Sequence, residues 1–164
     1  MSGHRSQEQK VRMTPSTTTA PDAIPEDFNP LCLDNQLCFP LYAAARQVTG
    51  LYAPLLKPLD LTYTQYLVFL VLWEEDGLKV GDLGGRLFLD SGTLTPLLKK
   101  LAEKGLLTRK RSEEDERVVR VFLTDEGRAL RAKALTIPAS VGSCVFLSEA
   151  DARDLYRILY TLLQ

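Results

Sequence analysis

Metal-binding side chains are scarce in this chain of 164 residues, because His4 is its only histidine and there are three cysteines. The sequence has no cluster with metal-ligand spacing, no CxxC motif and no cofactor-binding loop. We therefore predict no metal and no cofactor. Long apolar runs and a secretory signal are missing as well, so the sequence predicts a cytoplasmic protein without a membrane helix.

The chain has few cysteines and a net charge close to zero, and both facts bear on which classes of protein it can belong to. Cys32, Cys38 and Cys144 occur in a chain without an export signal, which argues against a disulfide scaffold and leaves reactive or merely buried thiols. The net charge of −1 is not typical of a nucleic-acid binder. However, six basic residues and one acid lie between Lys99 and Arg111. Local charge governs phosphate contact more than the total does, so nucleic-acid binding stays open.

The chain is long enough for one ordinary domain, and its composition separates a tail from a core. Residues 1–30 are rich in Ser, Thr, Pro and Gln and are predicted to form a disordered or loosely ordered extension, which leaves 31–164 as the domain. Apolar periodicity, capping boxes and turn residues then place the elements. The predicted helices are Asp34–Lys57, Tyr63–Glu75, Lys79–Leu87, a helix from Asp90 or Ser91 to Lys104, one from Thr124 to about Ser140 and one from Ser148 to the C-terminus, with strands at Leu107–Arg111 and Val118–Leu123.

Two helices joined by a short turn and followed by a β-hairpin with a charged tip are the layout of a winged helix-turn-helix. The predicted fold class is therefore mainly α with a small β-hairpin wing, and residues 79–123 form its DNA-reading unit. In that layout the fourth helix enters a major groove and an arginine-bearing loop lies beside it. The helices within 34–57 and 124–164 are apolar on one face, so we expect them to pair across a two-fold axis as a homodimer on roughly palindromic operator DNA.

Small polar residues open the fourth helix. Ser91, Thr93 and Thr95 suit base edges and phosphate oxygens, and Lys99 and Lys100 follow on the exposed side as phosphate partners. The alternative is that Ser91 and Thr93 only cap the helix, while the lysines form a solvated face.

The predicted wing carries cations on both of its sides. Arg109 lies on the ascending strand, and Arg117 on the descending side is placed to enter a narrow minor groove. Asp115 is predicted to hold the Arg117 guanidinium by a charge-assisted pair. The alternative is a salt-bridged hairpin tip that has no partner.

Cys38 lies at or just ahead of the first long helix, whose regular part begins near Phe39 or whose first turn is distorted, because Pro40 follows at once. A thiol near a helix N-terminus feels the positive end of the helix dipole, which favours the thiolate. Several tyrosines, among them Tyr52 and Tyr63, are close enough along the chain for the fold to bring them near Cys38. Their hydroxyl groups are able to donate hydrogen bonds to the thiolate. The alternative is a small buried hydrophobic side chain.

Four blocks of sequence are similar, in this order and spacing, to one branch of a known family: DNQLCFPLY, LTYTQYLVFLVLWE, LFLDSGTLTPLLKKL and RSEEDERVVRVFLT. They resemble the organic-hydroperoxide-sensing (OhrR-like) branch of the MarR transcription regulators. The resemblance covers about residues 34–164. The LCF, LTYxQY and LDSGTLTPLLK blocks are specific to that branch, whereas DERxVxVxLT is shared by MarR regulators generally.

The resemblance implies a homodimeric winged-helix repressor that leaves its operator when a cysteine is oxidised by an organic hydroperoxide. It makes Cys38 the peroxidatic thiol, with Tyr52 and Tyr63 hydrogen-bonded to it in the reduced state, at least one of them from across the dimer. Some members carry a resolving cysteine near the start of the last helices, where Cys144 stands, so the resemblance predicts an intersubunit disulfide between Cys38 and Cys144. Cys32 has no counterpart in the family and is interpreted as a bystander.

Three functions remain open from the sequence. The first is the thiol-switched repressor, which consumes peroxide stoichiometrically and is therefore not an enzyme. The second is a MarR-type repressor released by a reversibly bound phenolic or aromatic ligand, with Cys38 only lining its pocket. The third is a thiol peroxidase in which the winged helix serves assembly. Pro40 departs from the family pattern after LCF, and its missing backbone donor bears on how the thiolate is activated.

Overall fold

The computed structural model describes residues 29–112, 115–145 and 147–164. The chain divides into two compact units, Met1–Phe39 and Pro40–Gln164. Of the predicted N-terminal extension, residues 1–30, only the last two lie within the described residues. The helices are α1 (Cys38–Leu56), α2 (Tyr63–Glu74), α3 (Val80–Leu87), α4 (Ser91–Glu103), α5 (Asp125–Ala134), α6 (Ile137–Gly142) and α7 (Glu149–Leu162), and the strands are β1 (Leu78–Lys79), β2 (Leu107–Arg111) and β3 (Val119–Leu123).

The first helix starts later than the sequence predicts. A short 3₁₀ turn occupies Leu33–Asn35, and α1 begins only at Cys38. Pro40 has no N–H, so it is tolerated in the first turn, where that N–H would lack an acceptor within the helix. The predicted start at Asp34 is therefore wrong, and the alternative start near Phe39 is confirmed to within one residue.

The predicted capping box at the start of α2 is confirmed. The Thr62 hydroxyl oxygen accepts the Gln65 backbone N–H at 3.3 Å, and Gln65 Oε1 accepts the Thr62 backbone N–H at 3.0 Å. These two bonds satisfy N–H groups that the helix itself leaves free. The helix that follows lies deep in the core, with buried apolar residues Tyr66, Val68, Phe69, Val71 and Leu72.

The sheet has three strands where the sequence predicted a hairpin of two. All pairs are antiparallel, and β3 lies between β1 and β2. Leu78 pairs with Val121 and Lys79 with Arg120, so the predicted helix over Lys79–Leu87 is wrong at its first residue. Two residues are too few to show the alternation by which a strand is recognised from sequence.

The predicted helix from Thr124 to about Ser140 is two helices in the structure. Thr124 caps α5, which ends at Ala134, and α6 begins at Ile137. Pro138 is the second residue of α6 and has no N–H to donate to the carbonyl oxygen of Ala134, so a continuous helix would lose a bond there. The prediction of a single helix is therefore wrong.

The core of the second unit is built from buried residues of all three strands and of every α-helix except α7. Leu94, Leu98 and Leu101 recur at helical spacing along α4 and are fully buried, as their periodicity predicts. They pack in one cluster with Leu107 of β2 and Val121 of β3. In the part of the chain that the structure describes, no helix is both long enough and apolar enough to cross a membrane.

Gly127 lets α5 pack closely against the base of the wing. A Cβ atom there would lie 2.0 Å from the carbonyl oxygen of Leu106, far inside the contact distance. The Gly127 carbonyl also accepts the indole N–H of Trp73 at 3.0 Å, which joins α5 to α2. The backbone of α5 is therefore held from two sides, and only glycine fits.

We expect Gly127→Ala to lower the free energy of unfolding by about 2–3 kcal/mol, because the added methyl group must displace backbone. Urea unfolding followed by circular dichroism measures this. Gly85→Ala is the matched control, since a Cβ at Gly85 in α3 meets nothing within 4 Å. It should stabilise the protein by about 0.5–1 kcal/mol through helix propensity. Equal stability of the two variants would contradict the proposed close contact.

Candidate DNA interface and thiol site

Asp90 fixes the first turn of α4. Its carboxylate accepts the backbone N–H of Thr93 at 2.9 Å and the Thr93 hydroxyl at 3.0 Å, so Asp90 and not Ser91 is the N-cap. These hydrogen bonds, the backbone bond foremost, hold the pKa of Asp90 below its usual value. The Thr93 side chain therefore serves the cap, and Ser91 is the first residue of the helix.

An open groove of about 360 Å³ lies between the start of α4 and the wing. Ser91 and Thr95 line it from α4, where a spacing of four residues puts them on one face of the helix. Arg109 of β2, Arg117 of the wing tip and Lys79 of β1 line it as well. Four of the predicted DNA-binding residues are thus brought together, and the described lining carries three cations and no carboxylate. We call this the wing-side groove.

Lys79 is the residue of this groove that the sequence prediction missed. It was assigned to a helix, but its place in β1 turns it toward the wing. Its strand partner Arg120 donates from Nη1 to the carbonyl oxygen of Gly77 at 2.9 Å, which fixes the entry into β1. A strand of two residues shows no alternation in the sequence, so neither β1 nor the position of Lys79 could be predicted from it.

The wing tip differs from the prediction at Asp115. Its carboxylate accepts the backbone N–H of Arg117 at 2.9 Å, and its carbonyl oxygen accepts the N–H of Val118 at 2.9 Å. The described ion pairs do not include the predicted pair of Asp115 with the Arg117 guanidinium. Asp115 therefore fixes the turn of the backbone, and the Arg117 side chain lines the wing-side groove.

The two lysines predicted as phosphate partners face different surroundings. Lys99 Nζ lies 4.0 Å from the carboxylate of Glu103, one turn further along α4, and both side chains are exposed. Such a pair contributes little to stability. Lys100 instead lines a groove on the side of α4 that faces α2.

Tyrosine rings cluster where α1 meets α2. Tyr52 and Tyr63 have ring centroids 4.8 Å apart, and the Tyr66 centroid lies 5.9 Å from that of Tyr52. Burial above all, and then the neighbouring Tyr52, raise the pKa of Tyr63 above its usual value. The Tyr63 hydroxyl therefore stays protonated at neutral pH, as a hydrogen-bond donor to a thiolate or sulfenate must.

The three cysteines are free thiols. Cys38 is the first residue of α1 and is exposed within the single subunit. Cys144 follows α6 and is exposed, and its Sγ lies 3.4 Å from the carbonyl oxygen of Ser140. Cys32 is half-buried. Within residues 29–112, 115–145 and 147–164, no three His, Cys, Asp or Glu side chains converge as a metal site.

Comparison with known proteins assigns the chain to a family. Residues 50–133 match the family model for the transcriptional regulator SarA/Rot. An organic hydroperoxide resistance transcriptional regulator of Bacillus subtilis is 50% identical over 137 residues, which cover 84% of this chain and 93% of the relative. The chain belongs to the organic-hydroperoxide-regulator branch of the MarR family. The predicted family and the predicted winged-helix fold class are confirmed.

Two solved structures of AbfR of Staphylococcus epidermidis share the fold of this MarR regulator. Reduced AbfR bound to DNA has a TM-score of 0.68 at 35% identity, and the match covers 80% of this chain and 92% of AbfR. Disulfide-formed AbfR has a TM-score of 0.58 at 36% identity, with 80% and 93% covered. The family and the DNA-bound neighbour together identify this chain as a DNA-binding transcriptional regulator.

For this MarR regulator, the Asp90 cap predicts a pH dependence of stability. The folded-state pKa of Asp90 lies below the unfolded value near 3.8, so the cap stabilises the fold above that pH and is lost as the pH falls through the folded-state pKa. Asp90→Asn, which caps without titrating, should lose less stability between about pH 5 and pH 3.

NMR titration of the Asp90 carboxyl measures the shift directly. Thr93→Val is the matched control, because it removes the hydroxyl bond and should move the Asp90 pKa part of the way back. A wild-type titration midpoint at or above 3.8 would contradict the cap's effect.

Proposed function

We propose that this MarR regulator is a redox-sensing repressor of the cytoplasm. As a homodimer it binds a palindromic operator while Cys38 is reduced, and an organic hydroperoxide releases it by oxidising that thiol. The wing-side groove carries the DNA half of the proposal, because its hydroxyls suit base edges and its guanidinium groups suit phosphates and narrow minor grooves. The exposed thiol at the first residue of α1 supports the redox half.

A second copy of the chain belongs to the proposal because α7 buries none of its side chains. Leu155, Ile158 and Leu162 are 43, 48 and 59% exposed, and Tyr156 is 63% exposed. Apolar patches of this kind are typical of protein interfaces. A two-fold pairing through such helices would cover them and present two DNA-reading units to half-sites about one helical turn apart.

The proposed chemistry has two steps. The Cys38 thiolate attacks the terminal oxygen of the hydroperoxide, the O–O bond breaks, and the sulfur becomes a sulfenic acid, while the leaving alkoxide takes a proton from water and departs as the alcohol. The thiol of Cys144 in the partner subunit then attacks that sulfur, so a disulfide forms and water leaves. Tyr52 and Tyr63 donate hydrogen bonds to the Cys38 thiolate before the reaction. One peroxide is consumed per disulfide, and in this proposal the oxidised protein stays off its operator until its thiols are restored, so it acts as a stoichiometric sensor and not as an enzyme.

Release requires only a modest change of geometry. A disulfide between subunits would hold the segment that contains Cys38 against the partner and rotate the two DNA-reading units away from operator spacing. A loss of ~1.4 kcal/mol already weakens binding tenfold. The switch therefore needs to break a few contacts at each half-site rather than unfold a domain.

A second candidate function follows from an apolar cavity of about 210 Å³ between α2 and the α5–α6 segment. Tyr66, Leu70 and Trp73 line one wall, and the lining also includes the cation of Arg131 and the carboxylate of Glu74. A repressor released by a reversibly bound aromatic ligand would use a cavity of this kind. Cys38 does not line this cavity, so this mode of release would not depend on the thiol.

Oxidation of the wild-type dimer with cumene hydroperoxide is expected to weaken operator binding about tenfold or more, and dithiothreitol should restore it. Cys38→Ser should bind the operator and ignore the peroxide, because no sulfenic acid forms. The measurement is fluorescence anisotropy on a palindromic operator selected with the reduced protein, run beside non-reducing gels.

Cys144→Ser separates the two steps. It should lose the covalent dimer but keep a Cys38 sulfenic acid that dimedone traps. Cys32→Ser is the matched control and should behave as wild type. Full operator affinity after oxidation of wild type would overturn the redox proposal, and a Cys38-linked dimer in Cys144→Ser would overturn the pairing. Release of Cys38→Ser by an aromatic carboxylate would favour the second candidate.

Arg117→Ala is expected to cost about 1–3 kcal/mol of operator binding, since it removes one groove cation from each subunit. Its wing should stay folded, because Asp115 binds the backbone and not the side chain of residue 117. Anisotropy titrations of reduced protein check this, and Lys133→Ala on α5 serves as the control for loss of one positive charge. Wild-type affinity of Arg117→Ala would remove Arg117 from the interface.

A further inference from the structure

The two flanks of α4 face different grooves. Ser91 and Thr95 line the wing-side groove, whereas Thr93, Leu97 and Lys100 line a second groove on the side of α2. Positions four and seven residues after Thr93 return to the same face of a helix, so the split follows from helical spacing. We call this second space, of about 280 Å³, the α2-side groove.

The α2-side groove has polar side chains on both helices, beside the apolar Pro96 and Leu97 of α4. Thr62, Thr64 and Gln65 from the start of α2 face Thr93 and Lys100 of α4, and the described lining includes no carboxylate. Lys99 is paired with Glu103, but none of the described ion pairs occupies Lys100. The groove therefore offers hydroxyl, amide and ammonium donors to an anion.

Gln65 is the informative residue of this groove. It is only 6% exposed, and it is the one buried polar side chain among the described residues. Its Oε1 is committed to the Thr62 backbone N–H at 3.0 Å. The described hydrogen bonds give no protein acceptor to its Nε2, and no buried side-chain nitrogen or oxygen among these residues lacks a partner, so Nε2 is accessible to solvent. Gln65 lines both the α2-side groove and the neighbouring space beside Asp60 and Lys104. Gln65 therefore keeps an amide donor that is available to a ligand in the groove.

We propose that the α2-side groove is a DNA phosphate site, in which Thr64, Gln65 and Lys100 hold the sugar-phosphate backbone on the side of α4 away from the wing. A helix lying in a major groove ~12 Å wide has a backbone strand on either side. Because the wing-side groove takes one strand, the α2-side groove is placed for the other. The charge of Lys100 and the amide of Gln65 give charge-assisted hydrogen bonds to phosphate oxygens. The inference rests on the proposed insertion of α4 in the major groove.

The salt dependence of binding tests the site, because each phosphate contact contributes about 0.9 to the slope of log K against log salt. Lys100→Met in the full chain should reduce that slope by about 1.8 for the dimer, which loses two contacts. Lys133→Met removes the same charge from the exposed surface of α5 and should keep the wild-type slope. Reduced protein and anisotropy titrations at several salt concentrations supply the data.

Gln65→Glu is the sharper variant. Glutamate keeps the capping box, because its carboxylate accepts the same Thr62 N–H, so α2 should stay folded. It replaces the free amide donor with a charge that repels phosphate, and it should weaken binding by roughly tenfold or more. The loss should be equal for operator and random DNA, since a phosphate contact carries no sequence information.

Two failures are distinguishable. Wild-type slope and affinity in both Lys100→Met and Gln65→Glu, with wild type binding normally, would overturn the phosphate site alone. A loss confined to operator DNA would also overturn it, because it would indicate base contact. Absence of operator binding by reduced wild type would overturn the proposed function as well.

Discussion

The carboxylate of Asp76 is the contact on which the placement of the wing depends. It accepts the backbone N–H of Gly77 at 2.9 Å and that of Leu123 at 2.8 Å, and it pairs with the Arg128 guanidinium at 3.0 Å. One side chain thus joins the approach to β1, the end of β3 and the body of α5. Because a partly buried acceptor with three donors is costly to leave unpaired, wing and α5 are held as one piece. Gly127 adds a second connection between α5 and the wing, because its lack of a side chain allows backbone contact between α5 and the residues that precede β2.

Because the wing is fixed to α5, the proposed redox switch has to move a whole DNA-reading unit rather than rearrange the wing. Neither groove beside α4 needs to be rebuilt when a thiol is oxidised, since Leu94, Leu98 and Leu101 keep α4 seated in the core. What can vary is the placement of one whole DNA-reading unit against its partner. In the proposed switch, the interaction that controls DNA release would therefore belong at the interface of the proposed homodimer, since the apolar face of α7 and the Cys38 thiol are exposed in the single subunit.

The sequence predicted the fold where a pattern extends over several turns or strand residues. The leucines of α4, the capping box of α2 and the strands of the wing are all signalled by residues close together in the chain, and the structure confirms these elements. Prediction from the sequence failed where the structure depends on a very short element, on a single residue or on a contact between residues far apart in the chain. β1 has two residues and exists only because β3 pairs with it, and the break before α6 depends on one missing N–H at Pro138.

Site residues follow the same rule. Arg109 and Arg117 belong to a charged hairpin that the sequence itself shows, whereas Lys79 and Gln65 reach a groove only through tertiary packing.

The low net charge of −1, which weighed against DNA binding, instead suits a regulator that must leave its operator. Phosphate attraction acts through local cations, and in this chain they flank α4, while α7 carries Glu149, Asp151 and Asp154. A strongly basic protein would stay on DNA through nonspecific contacts after its register was lost. Four of the cations of each reading unit line the two grooves, and in the proposed switch a small rotation of the unit would weaken its phosphate contacts together. Affinity would then depend steeply on subunit geometry, which is how one disulfide would release the operator.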